Sequence, residues 1–151
     1  MVKSAHVDTF AKDNLPDKSL WPDLILDHPT ATYPERLNAS YELLEKTIEL
    51  VGRDKSAIIA ADGNFTYGEL LELVNRISNY LVAQGVVPGN RIAIRSPNNA
   101  MAVAIWLAIL RTGAIAVTTI PLQRAVELAK IVEIGQIQFA LVDHRFVEEW
   151  Q

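Results

Sequence analysis

Residues 91–142 read RIAIRSPNNA MAVAIWLAIL RTGAIAVTTI PLQRAVELAK IVEIGQIQFA LV, and the fold class is legible in this stretch. Arg91-Ile92-Ala93-Ile94-Arg95 alternates as a strand with one wet face does. Ser96-Pro97-Asn98-Asn99 is turn chemistry, with an Asn placed to cap the next helix. Residues 100–111 are apolar almost all round, which predicts a helix covered on nearly every side and ended by Gly113. Residues 114–120 form a continuous apolar, β-branched run typical of a central parallel strand, and Pro121 blocks its extension. A helix is expected over about 125–134, with Leu128, Ile131 and Val132 inward and Gly135 after it. Residues 139–142 make a further strand, and 144–150 start another helix. Strand, helix, strand, helix, strand is the order of right-handed βαβ crossovers, so the fold class is α/β with a mostly parallel sheet flanked by helices.

On the N-terminal side of this stretch, Thr66-Tyr67-Gly68-Glu69 is a capping box, with Phe65 and Leu70 at the staple positions. Leu70, Leu71, Val74, Ile77 and Leu81 form the buried stripe of that helix. Gly85 stops it, Val86 lies where a Schellman end sets it against Leu81, and Pro88-Gly89 turn the chain. Residues 56–60 read as a strand, with Asp62-Gly63-Asn64 turning it into a short return strand from Phe65. Leu37, Tyr41, Leu44, Ile48 and Val51 make one helical stripe, capped by Asn38 or Ser40 and ended by Gly52. Residues 1–34, with prolines at 16, 22, 29 and 34, read as an irregular arm anchored on the globule by Trp21, Leu24 and Ile25. Residues 35–151 form the α/β part.

Composition narrows the function. The charge is 14 − 18 = −4, against the basic face that nucleic acid requires. Cysteine is absent, which removes disulfides, thiolate metal sites and thiol catalysis and fits a cytoplasmic setting. The most apolar run, 100–110, is far short of the ~20 residues of a membrane span. His6, His28 and His144 are scattered without an i, i+4 partner, so no metal site is expected. A P-loop and a dinucleotide fingerprint are both missing. Asp143-His144-Arg145 reads as a polar loop starting a helix, Glu69 as a cap, and Thr118-Thr119 as sheet filler rather than a phosphate site.

Four stretches taken in order carry a resemblance. Phe65-Thr66-Tyr67-Gly68-Glu69-Leu70 is similar to the T-Y-x-E-L helix start of adenylate-forming enzymes, the acyl-CoA synthetase and adenylation-domain superfamily. Residues 81–94 resemble its L-x-x-x-G-V-x-P-G-D-R-V-A-I, with Asn90 where most members carry Asp. Pro97-Asn98 with the helix to Leu110-Arg111-Thr112-Gly113-Ala114 resembles P-N … A-x-L-x-x-G-A, and the strand 114–120 with Pro121 and the next helix completes the set. The arm segments 4–16, 21–23 and 33–38, with 118–128 and 131–136, resemble the benzoate and 2-aminobenzoate CoA ligases more narrowly.

The resemblance implies an ATP- and Mg²⁺-dependent ligase. It joins a carboxylic acid, here an aromatic one, to AMP and then to CoA. It also implies that the phosphate loop, the Mg²⁺-holding motif and the mobile lysine lie downstream. On that basis the chain is expected to be the opening part of a longer protein, inactive alone, with no cofactor bound to it and with apolar faces that drive self-association. Pro121 and Leu122 are the candidate residues for an approach to the CoA tunnel; by themselves they read as a strand-end turn. No catalytic residue is named. A non-catalytic interaction module on half an adenylation fold, or a fatty-acid or amino-acid adenylating enzyme, are the competing expectations.

Overall fold

A computed structural model of the chain describes residues 4–23, 25, 26, 28, 33, 34 and 36–150. Its elements are α1 (Phe10–Asp13), α2 (Ala39–Leu43), α3 (Glu45–Val51), β1 (Ser56–Ala60), β2 (Gly63–Thr66), α4 (Tyr67–Ala83), β3 (Arg91–Arg95), α5 (Ala100–Arg111), β4 (Ile115–Thr119), α6 (Ala125–Gly135) and β5 (Phe139–Val142). Strands β1 and β2 form the antiparallel hairpin. Strands β4, β3 and β5, in that spatial order, form a parallel sheet, as the alternation of segments requires. Its helices and strands match the α/β class expected.

Helix α4 starts where the capping box places it. The Thr66 hydroxyl accepts from the Glu69 N–H at 3.2 Å, and the Glu69 carboxylate accepts from the Thr66 N–H at 2.8 Å. That hydrogen bond from Thr66 holds the Glu69 carboxyl below its ordinary value. The far end is a Schellman motif: Val86 N–H reaches Leu81 O at 3.1 Å and Gly85 N–H reaches Val82 O at 3.0 Å. Helix α5 is capped by Asn99, which accepts from Ala102 N–H, while Asp62 of the hairpin turn accepts from Ala100 N–H. Both acceptors sit where the helix leaves backbone donors without partners.

Helix α5 lies between two cores. Leu44, Leu70, Val74, Ala104, Leu107 and Ala108 cluster on one side, and Leu81, Val86, Ile92, Ile94, Ile109 and Ala114 on the sheet side. Each fully buried Leu or Ile contributes roughly 1.5–3 kcal/mol, which accounts for the apolar sides of α5 that face these cores. The helix is not covered on nearly every side as expected, since Met101, Val103 and Trp106 are exposed. Among the described residues, no helix is long and apolar enough to cross a membrane.

Several expectations are corrected. The 37–51 helix is two helices broken at Leu44, which is buried while Leu37, Tyr41 and Val51 are exposed. The hairpin turns at 61–62, so β2 already begins at Gly63. Strand β3 has no wet face: all five residues are buried, both arginines included. It is also the central strand, whereas β4, expected in the centre, is at the edge of the described sheet. Helix α6 includes Gly135, and Gln136 takes the left-handed end conformation. Residues 144–150 form two 3-10 turns, His144–Phe146 and Glu148–Trp150, not an α-helix.

The arm is anchored by polar groups instead of by Trp21 and Ile25, which are exposed; Leu24 and Pro29 lie outside the described residues. Val7 and Asp8 N–H groups donate to Pro88 O, and Arg91 Nη1 meets Asp8 Oδ2 at 2.6 Å. The Arg91 guanidinium also stacks on Phe10, 4.6 Å from the ring centre.

Candidate functional site

An open cleft of about 850 Å³ lies at the carboxyl ends of β3 and β4, against the first two turns of α5. Ligand sites of open parallel sheets occupy this position, outside the carboxyl ends of the strands. Ser96 and Asn98 come from the β3–α5 turn, Val103 and Trp106 from α5, and Thr118 from β4. Pro121 and Leu122, the two residues singled out in the sequence, form its rim after β4. Among the described residues, no charged side chain lines it.

The chemistry of the cleft follows from what its polar groups already do. The Thr119 hydroxyl donates to Ile94 O at 3.0 Å, so it fills a sheet position. Thr118 is exposed toward the cleft. Asn99 is engaged in capping α5. Without a guanidinium or ammonium on its wall, the cleft does not fit a triphosphate. No carboxylate is among the described lining residues, and among the described residues no group of three His, Asp or Glu could hold a metal ion.

The other sequence candidates lie elsewhere. Asp143 accepts from the backbone and guanidinium of Arg145, which holds its carboxyl far below the usual carboxylate range, while His144 is exposed. This trio ties down a 3-10 turn, in keeping with the loop reading. Glu69 is the α4 cap.

The residue that sequence reasoning missed is Arg95. It is 1 % exposed, and its fork points to main-chain oxygens. Nη1 donates to Ile120 O at 3.1 Å, and Nη2 to Pro121 O at 3.0 Å and Gln123 O at 2.9 Å. Nε donates to Phe146 O at 3.1 Å. The rim turn is also closed on itself, by Gln123 N–H to Ile120 O and by Ile120 N–H to the Gln123 side chain.

Residues 44–151 match the family described as AMP-binding enzyme. The chain belongs to this family. It is 38% identical over 118 residues to the acetyl-coenzyme A synthetase of Magnetococcus marinus, covering 74% of this chain and 18% of that protein. It is 29% identical over 115 residues to the 3-hydroxybenzoate–CoA ligase of Aromatoleum sp., covering 76% and 22%. The fold superposes on the anthranilate CoA ligase AuaEII with a TM-score of 0.71 at 23% identity, over 76% of this chain and 22% of that one. The chain thus spans about a fifth of the length of these AMP-binding relatives, and the parallel sheet with its helices corresponds to the N-terminal part of adenylate-forming enzymes.

Proposed function

We propose that this chain is the opening scaffold of an ATP-dependent carboxylate–CoA ligase that acts on an aromatic acid, with residues 1–34 as an arm and 35–151 as part of an α/β subdomain. The observation that carries the reading is the uncharged cleft at the carboxyl ends of β3 and β4, bordered by Pro121 and Leu122, in a chain of the AMP-binding family. The overall reaction runs in two balanced steps. The carboxylate oxygen attacks the α-phosphorus of ATP and pyrophosphate leaves, giving the acyl-adenylate. The CoA thiol then attacks the acyl carbon and AMP leaves, the thiol proton passing to a base or solvent.

The contribution of these residues is positional. Trp106, Val103 and Ile120 present apolar surface, which shields a mixed anhydride from water. Pro121 and Leu122 border the approach of the CoA pantetheine arm, an uncharged chain suited to a wall without charges. Charge neutralisation for the triphosphate and for Mg²⁺ belongs to groups other than these. The 151 residues alone are therefore expected to form no acyl-CoA from acid, ATP and CoA. A cytoplasmic protein without nucleic-acid or membrane partners fits the same reading.

Aromatic specificity is supported by the likeness to the 3-hydroxybenzoate ligase and by the narrower motif resemblance. A short aliphatic acid is the second reading, favoured by the higher identity to an acetyl-coenzyme A synthetase. Pyrophosphate release by the protein from its complete reading frame, with benzoate, 2-aminobenzoate, 3-hydroxybenzoate and acetate in parallel, separates them. Release with acetate alone overturns the aromatic assignment, and release with none overturns the ligase.

A further inference from the structure

The buried Arg95 makes no ion pair among the described residues; its charge is met by four carbonyl oxygens, three of them on the rim turn. We propose that Arg95 is a positioning residue: it fixes the 120–123 turn as a rigid rim of the cleft and thereby sets the approach of the thiol acceptor. The inference rests on the ligase reading and adds to it a residue that lines no part of the cleft. The physical argument starts from the cost of placing a guanidinium out of water, which is compensated only where its N–H fork finds fixed acceptors. Four of its five donors are used here, on segments that follow two different strands. Ile120 and Pro121 follow β4, Phe146 follows β5, and Arg95 ends the strand between them. One side chain therefore ties the three carboxyl ends of the sheet together directly below Pro121 and Leu122. Leu122, at 84 % exposed, has no packing of its own to hold it, so its place depends on the main chain beneath. Lysine cannot reproduce this: its single ammonium lacks the planar fork that spans separated acceptors.

The test uses Arg95→Lys in the protein from the complete reading frame, with two readouts. Hydrogen exchange of the Ile120, Leu122, Gln123 and Arg124 amides is expected to accelerate roughly tenfold or more, as loss of a charge-assisted hydrogen bond allows, while α5 stays protected. The KM for CoA in thioester formation is expected to rise roughly fivefold or more, with pyrophosphate release from acid and ATP unchanged. Unaltered exchange in this turn, or an unchanged KM for CoA, overturns the proposal. If Arg95→Lys does not fold, native-state hydrogen exchange of the wild type decides instead: protection of the Ile120 and Gln123 amides comparable to that of α5 supports a fixed turn, and exchange at the rate of a free loop overturns it. If the wild type releases no pyrophosphate with any acid, the ligase reading fails, and the exchange data alone decide whether Arg95 holds the turn.

Discussion

Asp8 shows how one carboxylate can dock a whole segment. Its Oδ2 takes Arg91 Nη1 at 2.6 Å and Gln138 Nε2 at 2.8 Å, and its Oδ1 takes the Phe10 N–H at 3.1 Å. The hydrogen bond from Arg91, followed by the one from Phe10, holds the carboxyl below its ordinary value. A depressed carboxyl stabilises the docked state above the unfolded value of about 3.9, and that contribution is lost as pH falls through the lower folded value. The arm is therefore expected to stay docked at neutral pH and to release only in stronger acid. The Phe10 ring resonances, which sense the guanidinium stacked on them, report this by NMR; an inflection above the ordinary carboxylate value contradicts the pairing. Asp8→Asn is expected to undock the arm already at neutral pH. Val7 and residue 8 amides as protected as in the wild type would show that the ion pair is not what holds it.

At the level of helices and strands, ends decide more than middles. Thr66→Ala removes the acceptor for Glu69 N–H, and is expected to lower stability by about 1 kcal/mol in urea denaturation. A change within error would mean that tertiary packing alone positions the start of α4. Gly89 joins two elements. Its φ is +92°, and a Cβ there would stand 2.1 Å from Asp8 O. Gly85 has nearly the same φ, +88°, with nothing within 4 Å of the added atom. Both alanine variants incur the left-handed backbone cost of roughly 1–2 kcal/mol, so Gly89→Ala should lose more than Gly85→Ala and should also free the Val7 amide. Equal losses in denaturation would show that the contact with the arm contributes nothing.

The same elements show what the sequence makes legible. Caps, Schellman ends and the strand–helix alternation are local, and Thr66, Gly85, Asn99 and Gly113 mark them where the structure has them. The strand order was not legible, because a β-branched run at 115–119 reads alike at the centre or the edge of a sheet. The depth of β3 was hidden by Arg91 and Arg95, whose alternation imitates a wet face. The Asp8 carboxylate and the carbonyls of 135–136 make the Arg91 charge tolerable inside, and the carbonyls of 120–123 and Phe146 do the same for Arg95. Pro121 and Leu122 could be found from the resemblance, but Arg95 beneath them could not, since its partners are main-chain oxygens that carry no residue signature.

For the molecule as a whole, the apolar surface left uncovered has a consequence. Each outer strand of the described sheet, β4 and β5, pairs only with β3, so each offers a row of backbone donors and acceptors. Around the cleft Val103 and Trp106 remain 42 % and 37 % exposed on a helix that buries Ala104, Leu107 and Ala108 on another side, and Ile120 and Leu122 extend the patch. Contiguous apolar surface of this kind is seldom stable in water. A second copy of the same chain is a suitable cover, because it brings the same apolar side chains and no charge into the cleft. The 151-residue chain is therefore expected to sediment as a dimer or larger species at micromolar concentration. Trp106→Gln, which removes the largest apolar group of the patch but leaves the buried side of α5 intact, should shift it toward monomer without unfolding it. A clean monomer for the wild type, or association indifferent to residue 106, would mean that the patch is not what brings copies together.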